Sequence, residues 1–212
     1  MQEVLDLLRS TLRGIWMYRW WGFVAMVLVG AAGSIGVFSI PNQFEAAARV
    51  YVELIRGTPL LVQLLIGFYV VANAVGLENR YVVGALVLAL FSGAYMAEIF
   101  RGGLAAIPAG QRDAARAIGL TPWQSMRLVI LPQAIRLVLP AVAGQLVSLI
   151  KDSSLLSVIA VSEFTLAAQE VNSFTYSTLE SYLPLAAGYL LLTLPLSALS
   201  RWLERHFAYE AG

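Results

Sequence analysis

FRGGLAAIPAGQRDAARAIGLTPWQSMRLVILP, residues 100–132, contains the one large polar connection of a chain otherwise made of apolar runs. Residues 81–97 before it carry no charge, and residues 128–150 carry only Arg136. A bilayer core of about 30 Å is crossed by a helix of about 20 mostly apolar residues. Both flanks meet that requirement or come close, so the polar stretch joins two membrane spans.

Outward from it, residues 20–44, 57–77 and 181–200 are also free of Asp, Glu, Lys and Arg. Five spans are expected, at about 20–40, 57–77, 80–99, 129–150 and 181–201. The composition agrees: 59% of the 212 residues are hydrophobic and 13% are charged, where a soluble domain carries about 25% charged residues. The expected class is an all-α integral membrane protein with a single transmembrane domain over residues 1–212. Segment 153–162 is apolar but too short to cross, and is expected as a re-entrant or outer-surface segment packed on protein.

Residues 1–19 read as an interfacial amphipathic helix. Leu5, Leu8, Leu12 and Ile15 share one face while Asp6, Arg9 and Arg13 lie on another. Trp16, Tyr18, Trp20 and Trp21 suit the headgroup level. The apolar run that follows is too long for a signal-peptide core and is expected to be retained as a span.

Several function classes are excluded. A net charge of +1 gives no broad basic face for nucleic acid. With no cysteine and one histidine, His206, cysteine-bound zinc and a histidine metal cluster are impossible, and no metal site is expected. Gly33-Ser34 superficially resembles a hydrolase turn, but the lone histidine follows the last span and cannot serve as its base. No catalytic residue is expected.

Within the polar connection, taken as residues 104–128, Ala109 to Ile118 suits a short helix with Pro108 in its first turn. Gly119 is placed to end it, because glycine takes the left-handed conformation without a Cβ penalty. Thr121-Pro122-Trp123-Gln124 then reads as a new helix start with a capping box. Ala114, Ala115 and Ile118 make a small apolar patch, with Arg112, Asp113 and Arg116 around it. Spacing alone is equally consistent with a docking surface and with a solvated loop of two helical turns.

With the N-terminus outside, the inner side holds Arg49, Arg56, Arg101, Arg112, Arg116, Arg127, Arg201 and Arg205. The outer side holds Arg9, Arg13, Arg19, Arg80 and Lys151. That excess favours N-terminus outside, C-terminus inside and the polar connection inside.

Asp113-Ala114-Ala115, three residues, Gly119, nine residues, then Val129-Ile130-Leu131-Pro132 resembles the EAA loop of bacterial ABC importer permeases, with Asp113 for Glu and Val129 for Ile. Residues 51–63 (YVELIRGTPLLVQ), 97–103 (AEIFRGG) and 151–159 (KDSSLLSVI) resemble the polar amino acid branch of that family. The resemblance covers residues 45–170. It implies type I ABC importer architecture in a bacterial inner membrane, with 109–120 as a cytoplasmic coupling helix. Asp113, Ala114, Ala115 and Gly119 would engage separate ABC ATPase subunits, which bind the ATP and Mg; the permease itself would carry no cofactor. Other implied partners are a second permease, identical or homologous, an extracytoplasmic amino-acid-binding protein and membrane lipid. The chain has no phosphate-binding loop of its own, since its only lysine, Lys151, follows Ile150.

For the substrate pathway, Ala141, Gln145, Ser148 and Asp152 fall at helical spacing on one face, and Glu98 flanks the inner end of its span with Arg101. Gln145 and Ser148 suit a zwitterion, and equally suit polar packing between helices. Arg136 is placed to snorkel or to pair with a carboxylate. Lys151 and Asp152 read as an interface lock. Pro59 and Pro132 are expected at turns into spans, and Pro140 at a static bend. The competing transport reading is a stand-alone small secondary transporter, which would leave the polar connection without a purpose.

Overall fold

The computed structural model describes residues 42–207, with side chains from residue 46. The interfacial helix at 1–19 and the first expected span lie outside the described residues. Every regular element among the described residues is helical.

Helix α1 (Asn42–Gly57) and helix α2 (Leu60–Ile66) meet at an elbow. Pro59 sits at φ −63°, ψ 139° and biases Thr58 away from the helical region. The two axes are bent by 107°. Gln63 fixes the bend by donating from Nε2 to the Ile55 carbonyl at 2.7 Å, the Thr58 carbonyl at 3.0 Å and Thr58 Oγ1 at 2.8 Å. Thr58 Oγ1 in turn donates to the Leu54 carbonyl at 2.8 Å. The α2 direction continues through a π-helical stretch, Gly67–Ala72.

The turn at Pro59 therefore leads into the segment expected as the second span, 57–77, whose helix starts at Leu60. From Leu60 the helix runs on through the π-helical stretch to Ala74, about 22 Å at 1.5 Å per residue. Charge-free sequence showed where the segment is apolar, and Pro59 decided where it breaks.

Helix α3 (Arg80–Ala105) begins at Asn79, whose side chain accepts from the Tyr81 and Val82 amides at 3.0 and 3.3 Å. It runs six residues past the expected end at 99. Gly103 lies inside it, against the neighbouring α6: a Cβ there would stand 2.1 Å from Val138 Cγ1. After a three-residue link comes α4 (Ala109–Ala117).

Helix α5 (Pro122–Ser125) passes through a π-helical turn, Met126–Ile130, into α6 (Leu131–Asp152) and a 3₁₀ segment, Ser153–Ile159. Together they form a 38-residue rod, Pro122–Ile159. The helix that holds the expected span at 129–150 therefore starts earlier, at the Thr121 capping box, and runs further. Pro132 lacks an amide hydrogen and crowds the carbonyl four residues back. That carbonyl belongs to Leu128, inside the widened turn, so the rod passes this proline without ending.

The apolar segment at 153–162 packs on protein, as expected: Ile159 and Val161 are buried against Leu64 of α2. Helix α7 (Phe164–Thr175) follows, an element with no clear signature in the sequence. Helix α8 (Thr178–Phe207) is longer than the expected 181–201 at both ends.

Pairings set the topology. Ser92 of α3 meets Gln145 of α6 while Gly103 meets Val138, so α3 and α6 are antiparallel. Ser200 Oγ of α8 donates to the Pro140 carbonyl at 3.1 Å, and Gly188 of α8 lies under Phe164. Helix α8 is thus antiparallel to the rod, and its C-terminal end shares a side with α4. The opposite side carries Arg80, which donates to the Ala160 carbonyl at 3.2 Å. Three helices among the described residues are long and apolar enough to cross a membrane, and the bent α1–α2 pair makes a fourth if counted as one span.

Candidate functional site: the polar connection and the seams above it

Helix α4 ends as its sequence predicts. Gly119 has φ +83°. The Leu120 amide donates to the Ala115 carbonyl at 3.1 Å and the Gly119 amide to the Arg116 carbonyl at 2.9 Å. This is a Schellman motif, which satisfies carbonyls left over at the helix end. The capping box two residues on is complete: Gln124 N donates to Thr121 Oγ1 at 3.3 Å and Thr121 N to Gln124 Oε1 at 2.9 Å. The turn between the two helices is thereby fixed on both sides.

The outward face differs in one respect from the expected patch. Asp113 and Ala114 are exposed, but Ala115 is 3% exposed. Helix α4 lies against the α5 and Met126–Ile130 segment, so Ala115 belongs to the chain's own interior. Apolar surface on this side comes from the other two members of that patch, Ala114 and Ile118, the latter 76% exposed, and from Trp123, 71% exposed. A three-residue alanine pattern cannot reveal which alanine a returning rod will cover.

The helix is also tied to the rod. Gln133 Nε2 donates to Gln111 Oε1 at 3.4 Å and to the Val129 carbonyl at 2.8 Å. Beneath it, Ile107, Ile130 and Ala134 form a buried apolar cluster.

The residues expected on the substrate pathway separate into two places. Gln145 lies in the α3–α6 seam, its Nε2 3.4 Å from the Oγ of the fully buried Ser92. Ser148 and Asp152 are half-buried further along the same helix. Glu98 is elsewhere. It forms a two-pronged pair with Arg101, Nε to Oε2 at 2.9 Å, and faces Arg56 of the elbow at 3.6 Å. The Arg56 guanidinium also lies 5.7 Å from the centre of the Tyr95 ring.

A third polar group, not anticipated from sequence, occupies the opposite end. Glu163 is 5% exposed and starts α7. Its carboxylate accepts from the Thr165 and Leu166 amides, both at 2.8 Å, and from the Tyr189 hydroxyl at 3.0 Å. Burial pushes this carboxyl above the ordinary value, and the hydrogen bonds pull it partly back. Glutamate is not a favoured N-cap, so its sequence position carried little signal. Its one hint was a lone acid amid apolar residues.

The model of the family described as binding-protein-dependent transport system inner membrane component matches residues 26–209. The glutamine transport system permease protein GlnP of Escherichia coli (strain K12) is 38% identical over 186 residues, 87% of this chain and 83% of that protein. The probable glutamine ABC transporter permease protein GlnM of Bacillus subtilis (strain 168) is 33% identical over 178 residues, covering 84% and 82%. Among solved structures, the crystal structure of an amino acid ABC transporter with histidines superposes with a TM-score of 0.88 at 36% identity, over 97% of this chain and 96% of that one. An inward-facing MetNI methionine ABC transporter shares the fold, with a TM-score of 0.71 at 19% identity over 96% and 95%.

Proposed function

Because the chain belongs to the family of binding-protein-dependent transport system inner membrane components, we propose that it moves polar amino acids, glutamine first among them, inward in response to a separate ATPase seated on α4. That it is an amino-acid ABC importer permease, with type I architecture, follows from its relatives and its fold. The stand-alone secondary transporter is not favoured. Glutamine is chosen because two of the relatives carry that word in their names.

One observation supports the coupling role above all. Helix α4 is short, solvent-exposed on its outer side and held at both ends, by a three-residue link to α3 and by the Gly119–Thr121 turn to the rod. A push on it therefore reaches both spans. Asp113 and the arginines around it supply charge for docking, and Ala114, Ile118 and Trp123 supply apolar contact. ATP and Mg would bind the partner ATPases. An extracytoplasmic amino-acid-binding protein would deliver substrate, and a second permease, identical or homologous, would complete the path, since so few spans make a poor pathway alone. The orientation proposed is N-terminus outside, with α4 and the C-terminus in the cytoplasm of a bacterial inner membrane.

The test is reconstitution. The permease, its co-expressed ATPase and the associated binding protein in proteoliposomes should take up labelled glutamine only with ATP. Glutamine uptake at the same rate without the ATPase would contradict the reading.

A further inference from the structure

The elbow between α1 and α2 is built as a rigid corner. Gln63 bridges both of its arms, reaching Ile55 on one side from its own place on the other, and Thr58 closes the inside of the turn. A corner so braced moves as one piece. Along α3 it is held in three places. Gly67 packs against Val87, where an added Cβ would come within 2.7 Å. The Tyr51 hydroxyl donates to the Leu90 carbonyl. At the tip, Arg56 reaches Glu98.

The last contact has a different character from the others. Glu98 already has a full partner in Arg101 on its own helix, one turn away. Arg56 is therefore not needed to neutralise it. Its placement, with Glu98 on one side and the Tyr95 ring on the other, ties the corner to α3 just before α3 hands over to α4. Glu98 lies seven residues from the end of α3 at Ala105, about 10 Å along a continuous helix.

We propose that Arg56 is a positioning residue for transport: it links the braced corner to the inner end of α3, so that the ATPase stroke received at α4 moves the corner as well as α3. This rests on α4 being the coupling element. Without the link, α4 and α3 still respond to the ATPase, but the corner follows less completely and fewer amino acids pass per ATP hydrolysed. An ion pair can transmit only as much as its own free energy, and a pair of this exposure supplies a shift of about two- to fivefold.

The experiment compares Arg56→Gln, Arg56→Lys and Arg101→Gln in the intact permease–ATPase complex, reconstituted with its binding protein and given labelled glutamine. Uptake and ATP hydrolysis are measured on the same vesicles, after confirming that wild type is coupled. Failure of that control would count against the α4 reading rather than against the Arg56 link. Arg56→Gln should lower glutamine moved per ATP by about two- to fivefold, with hydrolysis retained. Arg56→Lys, which keeps the charge, should restore most of the ratio. Arg101→Gln leaves the Arg56–Glu98 pair in place and should keep the wild-type ratio. An unchanged ratio in Arg56→Gln, an equal loss in Arg101→Gln, or a loss of ATPase co-purification in Arg56→Gln would each overturn the proposal.

Discussion

The amides of Gln111 on α4 and Gln133 on α6 are joined at 3.4 Å, and the second is anchored to the Val129 carbonyl at 2.8 Å. Helix α4, packed at the end of the rod, is thus braced to it by a side chain about three turns in from Pro122.

Gln133→Ala removes that brace while leaving α4 folded. A single hydrogen bond contributes about 1 kcal/mol net, so glutamine uptake by the reconstituted complex should fall by a few-fold rather than vanish. Uptake indistinguishable from wild type at equal expression would show that the brace transmits nothing.

Gly119→Val is expected to be far more damaging. No atom outside the immediate backbone lies within 4 Å of a Cβ at this position, so the cost comes from φ +83° itself. A β-branched residue there should cost about 1 kcal/mol or more and reshape the turn. Gly119→Asn, which tolerates the left-handed region better, should retain more uptake and more ATPase co-purification. Equal behaviour of the two variants would mean that backbone conformation is not the cause.

Ala160 also adopts a left-handed conformation, with φ 55°, between the 3₁₀ segment and α7. Ala160→Gly relieves that strain, at some cost in unfolded-state entropy. A gain below about 1 kcal/mol is expected, with the midpoint of thermal unfolding in detergent rising by up to roughly 3 °C. A lowered midpoint would contradict it.

Glu163 gives a pH dependence of definite sign. Its folded-state carboxyl sits above the ordinary value of 4.5, so the folded state holds the proton more tightly than the unfolded one. The stabilisation from this group is complete below 4.5 and is lost as pH rises through the raised folded value. Stability of Glu163→Gln should therefore fall less steeply than that of wild type over that window. Parallel pH curves would show that the carboxyl is not perturbed.

Gln145→Leu and Ser92→Ala probe the α3–α6 seam. If the two side chains act together, the double variant should lose little more glutamine uptake than the worse single one. Fully additive losses would mean that the seam contact at 3.4 Å does not couple them.

Much of this architecture was legible from residue types alone. The Gly119 turn and the Thr121–Gln124 capping box follow local rules, because each is decided by a few neighbouring residues. The exposed Asp113 and Ala114 were read for the same reason. The burial of Ala115 was not legible, because it depends on a rod that returns across it. The turn at Pro59 was legible as well, but the Gln63 bracing of it was not, because that depends on contacts back to Ile55 and Thr58 across the corner. Ser92, Glu163 and the Arg56–Glu98 pair needed the fold itself, since their partners are 26 to 53 residues away.

The central claim is that the outer face of α4 seats an ATPase. The chain has no cysteine, so single cysteines can be placed cleanly at Ile118, which is 76% exposed, at Ala115, which is 3% exposed, and at Tyr176 near the opposite end, which is 88% exposed. Each variant, in membranes with its co-expressed ATPase, is treated with a short bifunctional thiol-to-amine cross-linker. Ile118→Cys should join the ATPase subunit, while Ala115→Cys and Tyr176→Cys should not. Cross-linking from Tyr176→Cys with none from Ile118→Cys would place the ATPase at the other end of the molecule and contradict the account.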